Sequence, residues 1–147
     1  MPEKIKGREA RAEDESPVVR LLRLLRSTYS AAMFAARLRN ARKQGYQTRL
    51  TCMTDTPPAG FLGYRTACDL FWGRTHYIDD LIVEPIARGQ GFGRALLADA
   101  LAMARTAGFG HVRLASALHR TQTHQVYRNN GLHVVSYQFT APLPTGA

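Results

Sequence analysis

Two stretches of this 147-residue chain gather chemically capable residues. The first is Arg88-Gly89-Gln90-Gly91-Phe92-Gly93-Arg94, which comes after a strand-like segment and runs directly into a helical pattern. At such a turn, backbone N–H groups and the positive end of a helix dipole can hold an anionic phosphate. Glycines let the backbone approach that ligand closely, and Arg88 and Arg94 add charge on either side. A glycine-rich run alone would fit a flexible turn or an RNA-binding scrap equally well. The strand before it and the long helix after it favour the phosphate loop. The spacing is neither GxxxxGK[ST] nor GxGxxG after a first strand, which argues against a Walker nucleotide site and a dinucleotide fold. The second stretch is Asp79-Asp80, set between Ile78 and Leu81. Two acids inside an apolar strand are costly to bury unless paired or used. Strict alternation sends them to opposite faces, so at most one should reach a given reaction centre. Glu84, at the end of the same strand, is a third carboxylate. Pairing with Arg65, Arg74 or a helix terminus stands open beside a role as general base.

Other chemistries find little support. His76, His111, His119, His124 and His133 have neither HExxH nor CxxC spacing, so no metal site is expected. Cys52 and Cys68 are too few for a small secreted disulfide scaffold, which points to a reducing, cytoplasmic setting. No apolar run nears the roughly 20 residues of a membrane helix, and the start, MPEKIKGREA, lacks a signal-peptide core.

Net charge is +9, and it is uneven. Residues 1–74 carry 14 bases and 7 acids, residues 75–147 carry 6 and 4. From Ser16 to Thr54 there are eight bases and no acid. Such an excess suggests a polyanionic or phosphorylated partner. A solvated outer face is the plainer reading, because these arginines alternate with apolar positions.

Periodicity gives the scaffold around these residues. A first strand is expected over Ile5–Ala10. Ser16-Pro17 reads as an N-cap and first helical residue, opening a helix to Arg26 with Val18, Leu21, Leu22 and Leu25 on one stripe. Ser30 caps a second helix, Ala31–Gln44, closed by Gly45. Strands are expected over Tyr46–Met53, Phe61–Phe71 and His76–Val83, joined by short turns as an antiparallel meander. After the glycine run, Leu96, Leu97, Ala100, Leu101 and Ala104 mark a helix ending at Gly108. A strand over His111–Ala117, a short helix over Thr123–Asn129 and a last strand over Leu132–Thr140 complete a single α/β domain over residues 1–147. Residues 1–45 form its N-terminal part and 46–140 its core, a mixed, mostly antiparallel sheet flanked by about four helices.

The run Ile78–Pro85, then Arg88, Gly91 and Gly93, then Ala95-Leu96-Leu97, resembles motif A of the GNAT superfamily of acetyl-CoA-dependent N-acetyltransferases. The stretch Thr123–Leu132, with Tyr127 and Gly131, is similar to that family's motif B. The resemblance covers about Thr48–Phe139; the first 45 residues match only in element order. Departures are Arg120 where many relatives have Asn, Thr123 for Ala and Leu132 for Phe.

This resemblance implies acetyl-CoA as cofactor and, as acceptor, the primary amine of a small molecule or peptide, which attacks the thioester directly. It implies that the pantetheine arm pairs with the backbones of Leu81, Ile82 and Val83, with Val83 N–H polarising the thioester. The pyrophosphate would rest on Gly89, Gln90, Gly91, Phe92, Gly93 and Arg94. Tyr127 is implied as general acid, and Asp79 ranks first as base, ahead of Asp80 and Glu84. His119 and Arg120 are candidates for the adenine or 3′-phosphate end. The acceptor would enter near Arg26, Tyr29 and Trp72, with Ser27, Thr28 and Phe71 nearby. The acid-free stretch suggests that it carries a carboxylate or phosphate beside its amine. An RNA-directed acetyltransferase acting on aminoacyl-tRNA, and a non-catalytic acyl-CoA or nucleic-acid binding module, are the alternatives. A homodimer through Val134, Val135, Tyr137 and Phe139 is also compatible with the resemblance.

Overall fold

A computed structural model describes residues 5–145; the charged first four residues and the last two lie outside the described residues. The sheet has five strands in sequence order: β1 (Lys6–Glu9), β2 (Gln47–Cys52), β3 (Gly60–Asp69), β4 (Gly73–Val83) and β5 (Val112–Leu114). Strands β1 to β4 pair antiparallel, and β5 runs parallel to β4. Four α-helices stand among the described residues: α1 (Glu15–Leu25), α2 (Ala31–Lys43), α3 (Phe92–Thr106) and α4 (Thr121–Asn129). The architecture is the expected mixed α/β class.

The helices form where apolar stripes and end signals coincide. In α1, Val18, Leu21 and Leu22 are buried on one stripe. This helix starts at Glu15, so Ser16 is not its cap. Asp14 stands at the cap position, yet its carboxylate takes a forked pair of bonds from Arg8 (2.6 and 2.9 Å) and one from Arg11 N–H (2.7 Å). Ser30 caps α2 as expected, its hydroxyl accepting from Met33 N–H at 3.1 Å. Leu50, Phe61 and Ile82 make one row across the sheet and pack with Val18, Leu21, Leu22 and Leu38 into a single core. The alternate row, Gly60 and Val83, faces α3: a Cβ on Gly60 would touch Leu96, and Gly93 lies against Val83. The two faces of the sheet therefore have different partners, α1 and α2 on one side and α3 on the other.

Strict alternation fails inside β4. The register steps from Gly63↔Asp80 to Tyr64↔Ile78, which leaves Asp79 without a partner position on β3. One extra residue in a strand turns the residues after it to the other face. Asp80 thereby joins the α1–α2 face instead of sharing the face of Ile78. This corrects the expectation that Asp79 and Asp80 point apart.

The described residues divide into two compact units, one through Leu114 and one from Ala115. The second contains α4 and then residues 132–145, which have no regular secondary structure. The strand expected over Leu132–Thr140 is absent among them. Its alternation is real, but a strand needs a hydrogen-bonded neighbour. Val134, Val135, Tyr137 and Phe139 stay exposed, Phe139 at 92%.

Candidate active site

The first unit holds an open edge, a glycine turn and a cleft, all built around the C-terminal half of β4. β5 pairs with β4 only from His76 to Ile78. Beyond that, β4 has β3 on one side and no strand on the other among the described residues. Glu84 N–H bonds to Ala59 C=O at 2.7 Å, on the β3 side. Alternation then turns the N–H and C=O of Val83 and Leu81 to the free edge. An extended ligand could pair there through backbone alone.

The glycine turn lies at the end of this edge. After a 3₁₀ turn over Pro85–Ala87, Gly89 and Gly91 take φ of +79° and +95°, a region open to glycine without strain. Gly91 occupies the N-cap of α3, and Ala95 N–H is the first to turn back, to Gly91 C=O at 3.0 Å. The N–H groups of the first helical turn therefore face outward. Phe92 is buried and anchors the turn from below, while Arg88, Gly89, Gln90, Gly91 and Arg94 are exposed. Among the described residues neither Arg88 nor Arg94 pairs with a carboxylate. Gly93 sits 3.4 Å from Val83 measured from the Cβ it lacks, so edge and turn are adjacent. Free donors, two uncommitted guanidinium groups and a close-approach glycine fit a diphosphate joined to an extended arm.

On the α1–α2 face lies a cleft of about 460 Å³. Leu22, Phe34, Leu38 and Ala41 form its apolar wall, and Arg37, Gln44, Tyr46, Arg65, Asp79 and Asp80 supply its polar groups. Asp79 is held by Arg65 Nε at 3.0 Å, and the Arg65 guanidinium stacks on Tyr77. Asp80 instead accepts a 2.6 Å hydrogen bond from the Tyr46 hydroxyl. Burial pushes the Asp80 carboxyl above its ordinary range, the Tyr46 bond works against that, and the Asp79 charge adds to it. Burial, followed by the Asp80 charge, pushes the Tyr46 phenol well above its usual value, so it remains a donor.

The remaining sequence candidates are dispersed. Glu84 is committed to an ion pair with Arg20, which also donates to Pro58 C=O. Tyr29 packs on Phe34 in the turn between α1 and α2, under the Arg37 guanidinium at 5.0 Å. Arg26 ends α1 and is exposed. Trp72 does not line the cleft. It lies at the β3–β4 turn against Phe71 and His111, under Arg113. Seven residues of extended chain put it roughly 23 Å along the strand from Asp79. Tyr127 lies on α4 in the second unit, half-buried; burial raises its phenol while Arg120 opposes the rise. Sequence reasoning missed Tyr46, Arg37 and Gly63 as parts of one site. A glycine inside the strand run was the available signal, since it marks close approach by another group.

The fold that carries this open edge and glycine turn has relatives among known proteins. The chain belongs to the acetyltransferase (GNAT) family, whose model matches residues 17–132, and is thus an acyltransferase of a family that uses acetyl-CoA. No curated protein matches it. Among solved structures, an acetyltransferase from Trypanosoma brucei is 24% identical, with TM-score 0.78 over 95% of this chain and 100% of that one. An aminoglycoside N-acetyltransferase solved with CoA is 12% identical, with TM-score 0.82 over 99% and 98%. Glucosamine-6-phosphate N-acetyltransferase from Arabidopsis thaliana is 17% identical, with TM-score 0.77 over 97% and 100%. These similarities concern the fold. No helix among the described residues is long and apolar enough to cross a membrane.

Proposed function

We propose that the protein transfers an acetyl group from acetyl-CoA to the primary amine of a small molecule that also carries a carboxylate or phosphate. The observation that carries this reading is the cleft holding Asp79, Asp80 and Arg37 beside the free edge of β4. Acetyl-CoA supplies the activated thioester and leaves as CoA. The free backbone of Leu81 and Val83, on either side of Ile82, suits the pantetheine arm. The turn from Arg88 through Gly89, Gln90, Gly91, Phe92, Gly93 and Arg94 suits the pyrophosphate.

Asp80 takes the proton that the acceptor's ammonium must lose. This departs from the ranking that put Asp79 first, because Asp79 is exposed and committed to Arg65 whereas Asp80 is half-buried with its charge only partly compensated. A carboxyl held above its usual range is a better proton acceptor near neutrality. Val83 N–H offers a fixed donor at the free edge, where negative charge would develop. The resemblance to motif B gives Tyr127 the role of proton donor to the leaving sulfur, and burial keeps its phenol protonated at neutral pH. Among the described residues, Arg37 has no carboxylate partner within ion-pair distance, and it lines the same cleft. It is the group to receive an anionic substituent of the acceptor.

The test is release of CoA thiol over a panel of amino acids, amino sugars, phosphorylated amines, polyamines, peptides and tRNA. Amines bearing an anion should turn over fastest; a preference for polyamines would sink the anionic-acceptor reading. Tyr127→Phe should lower turnover at least tenfold with little change in CoA affinity, and an unchanged rate would remove Tyr127 from the mechanism.

A further inference from the structure

The cleft contains one contact that neither the sequence motifs nor the acetyl-transfer reading requires. Tyr46 comes just after the turn that ends α2, and its N–H bonds to Ala41 C=O at 3.1 Å. Its ring crosses the face of β3 so closely that a Cβ on Gly63 would fall inside the phenol. Gly63 is also the residue of β3 paired with Asp80. The hydroxyl therefore arrives at Asp80 through a gap that only glycine leaves open, and meets Oδ2 at 2.6 Å.

We propose that Tyr46 is a positioning residue that fixes the Asp80 carboxylate as the proton acceptor, and that Gly63 is the slot that admits it. The proposal rests on the acetyl-transfer reading for its catalytic meaning, but the pair itself does not. A neutral donor aimed at one carboxylate oxygen of this cleft-lining residue leaves the other available to accept a proton. It also stabilises the ionised form without placing a cation where the acceptor's ammonium must enter, as the Arg65 guanidinium does at Asp79. The bulge at Asp79 completes the arrangement by turning Asp80 onto the α1–α2 face. The charged and titratable groups around Asp80 are Asp79 on its own strand, Arg65 on β3, Arg37 and Arg42 on α2, and Tyr46 itself. Leu22, the contribution of α1, is apolar.

Tyr46→Phe removes the hydroxyl and keeps the ring. The acid limb of the kcat/KM profile should move up by about one pH unit, since a hydrogen bond to a charged group stabilises that form by roughly this much. At neutral pH kcat should fall while the KM for the amine changes less than twofold. A carboxyl ¹³C NMR titration of Asp80 should show the same upward move without any turnover being needed. Gly63→Ala, which displaces the phenol, should move the titration in the same direction. If the Asp80 titration is the same with and without the hydroxyl, the proposal fails, whatever turnover does. A titration that moves while no amine releases CoA would sink the acetyl-transfer reading and leave the pair standing.

Discussion

The two sides of β4's C-terminal half offer a ligand different kinds of group. Toward its free edge and α3, the available groups are mainly backbone: the N–H and C=O of Leu81 and Val83 and the donors of the turn at Gly89–Arg94, with the Arg88 and Arg94 guanidinium groups beside them. Toward α1 and α2, they are side chains drawn from four separate segments: Arg37, Tyr46, Arg65 and the Asp79–Asp80 pair. A backbone site tolerates most side chains but needs glycine where the chain must turn or be approached. A side-chain site tolerates any backbone that brings the groups together. On the proposed reading, cofactor recognition and acceptor recognition are separable, and substitutions on one face should leave the other face's affinity intact.

The largest separation is expected from Asp80→Asn. Loss of the general base should lower kcat by about 100-fold or more, with CoA affinity by calorimetry unchanged. The same change should leave the fold as stable or more so at neutral pH. A carboxyl whose folded pKa is raised contributes stability that is complete below its unfolded value of 3.8 and lost as pH rises through the folded value. Asparagine cannot ionise and escapes that loss. A thermal midpoint several degrees lower at pH 7 would contradict the burial argument for Asp80.

Arg37→Ala tests the acceptor end of the same cleft. Its guanidinium is stacked on Tyr29 at 5.0 Å and is free to take an anion. A charge-assisted bond to the acceptor should appear as a rise of about 30-fold in the KM for an anionic amine, and little change for a neutral one. Equal effects on both amines would break the link between Arg37 and acceptor charge. On the other face, Gly91→Ala forces a side chain into φ +95°. If the turn relieves this strain of roughly 1–2 kcal/mol by moving its N–H donors, CoA should bind up to about tenfold more weakly while the amine KM holds. A change in amine KM as large as the change in CoA affinity would mean that the two faces are not independent.

The same division between backbone and side chains also decides what could be read from sequence. The backbone site leaves a local pattern, Arg88–Arg94 between a strand and a helix, and the structure keeps that order. The side-chain site leaves none. Tyr46 reads as the first residue of a strand and Arg37 as one more base in an acid-free helix, because what joins them is tertiary. Asp79 and Asp80 were visible as chemistry, but their shared cleft depends on a slip between Gly63 and Tyr64 that period-two reasoning cannot register. The alternation of Val135, Tyr137 and Phe139 misled in the opposite direction, promising a strand to residues that pair with no strand in the described chain. Alternation reports which side of a strand would be apolar; it does not supply a neighbour.

The smallest effect lies outside both sites and separates folding from function. His76 is buried on β4, its ring stacked on Tyr64 at 4.5 Å, with no hydrogen-bond partner for Nε2 among the described residues. Burial lowers its pKa from the ordinary 6.5, so the folded state favours neutral imidazole. The unfolded state then binds more protons, and stability falls as pH drops below about 6.5, by at most about 1.4 kcal/mol per pH unit. Asp14 does not contribute in that window. Arg8 and Arg11 hold its carboxyl at about 2, so its share of stability is complete above its unfolded value of 3.8 and lost as pH falls from there through about 2. His76→Phe should therefore flatten the stability curve between about pH 6.5 and 5 in urea unfolding, while leaving the pH profile of turnover in place. If the variant keeps the wild-type slope, another group carries the acid sensitivity. If the turnover profile moves with it, this end of β4 is coupled to Asp80 and the two faces of the strand are not separate after all.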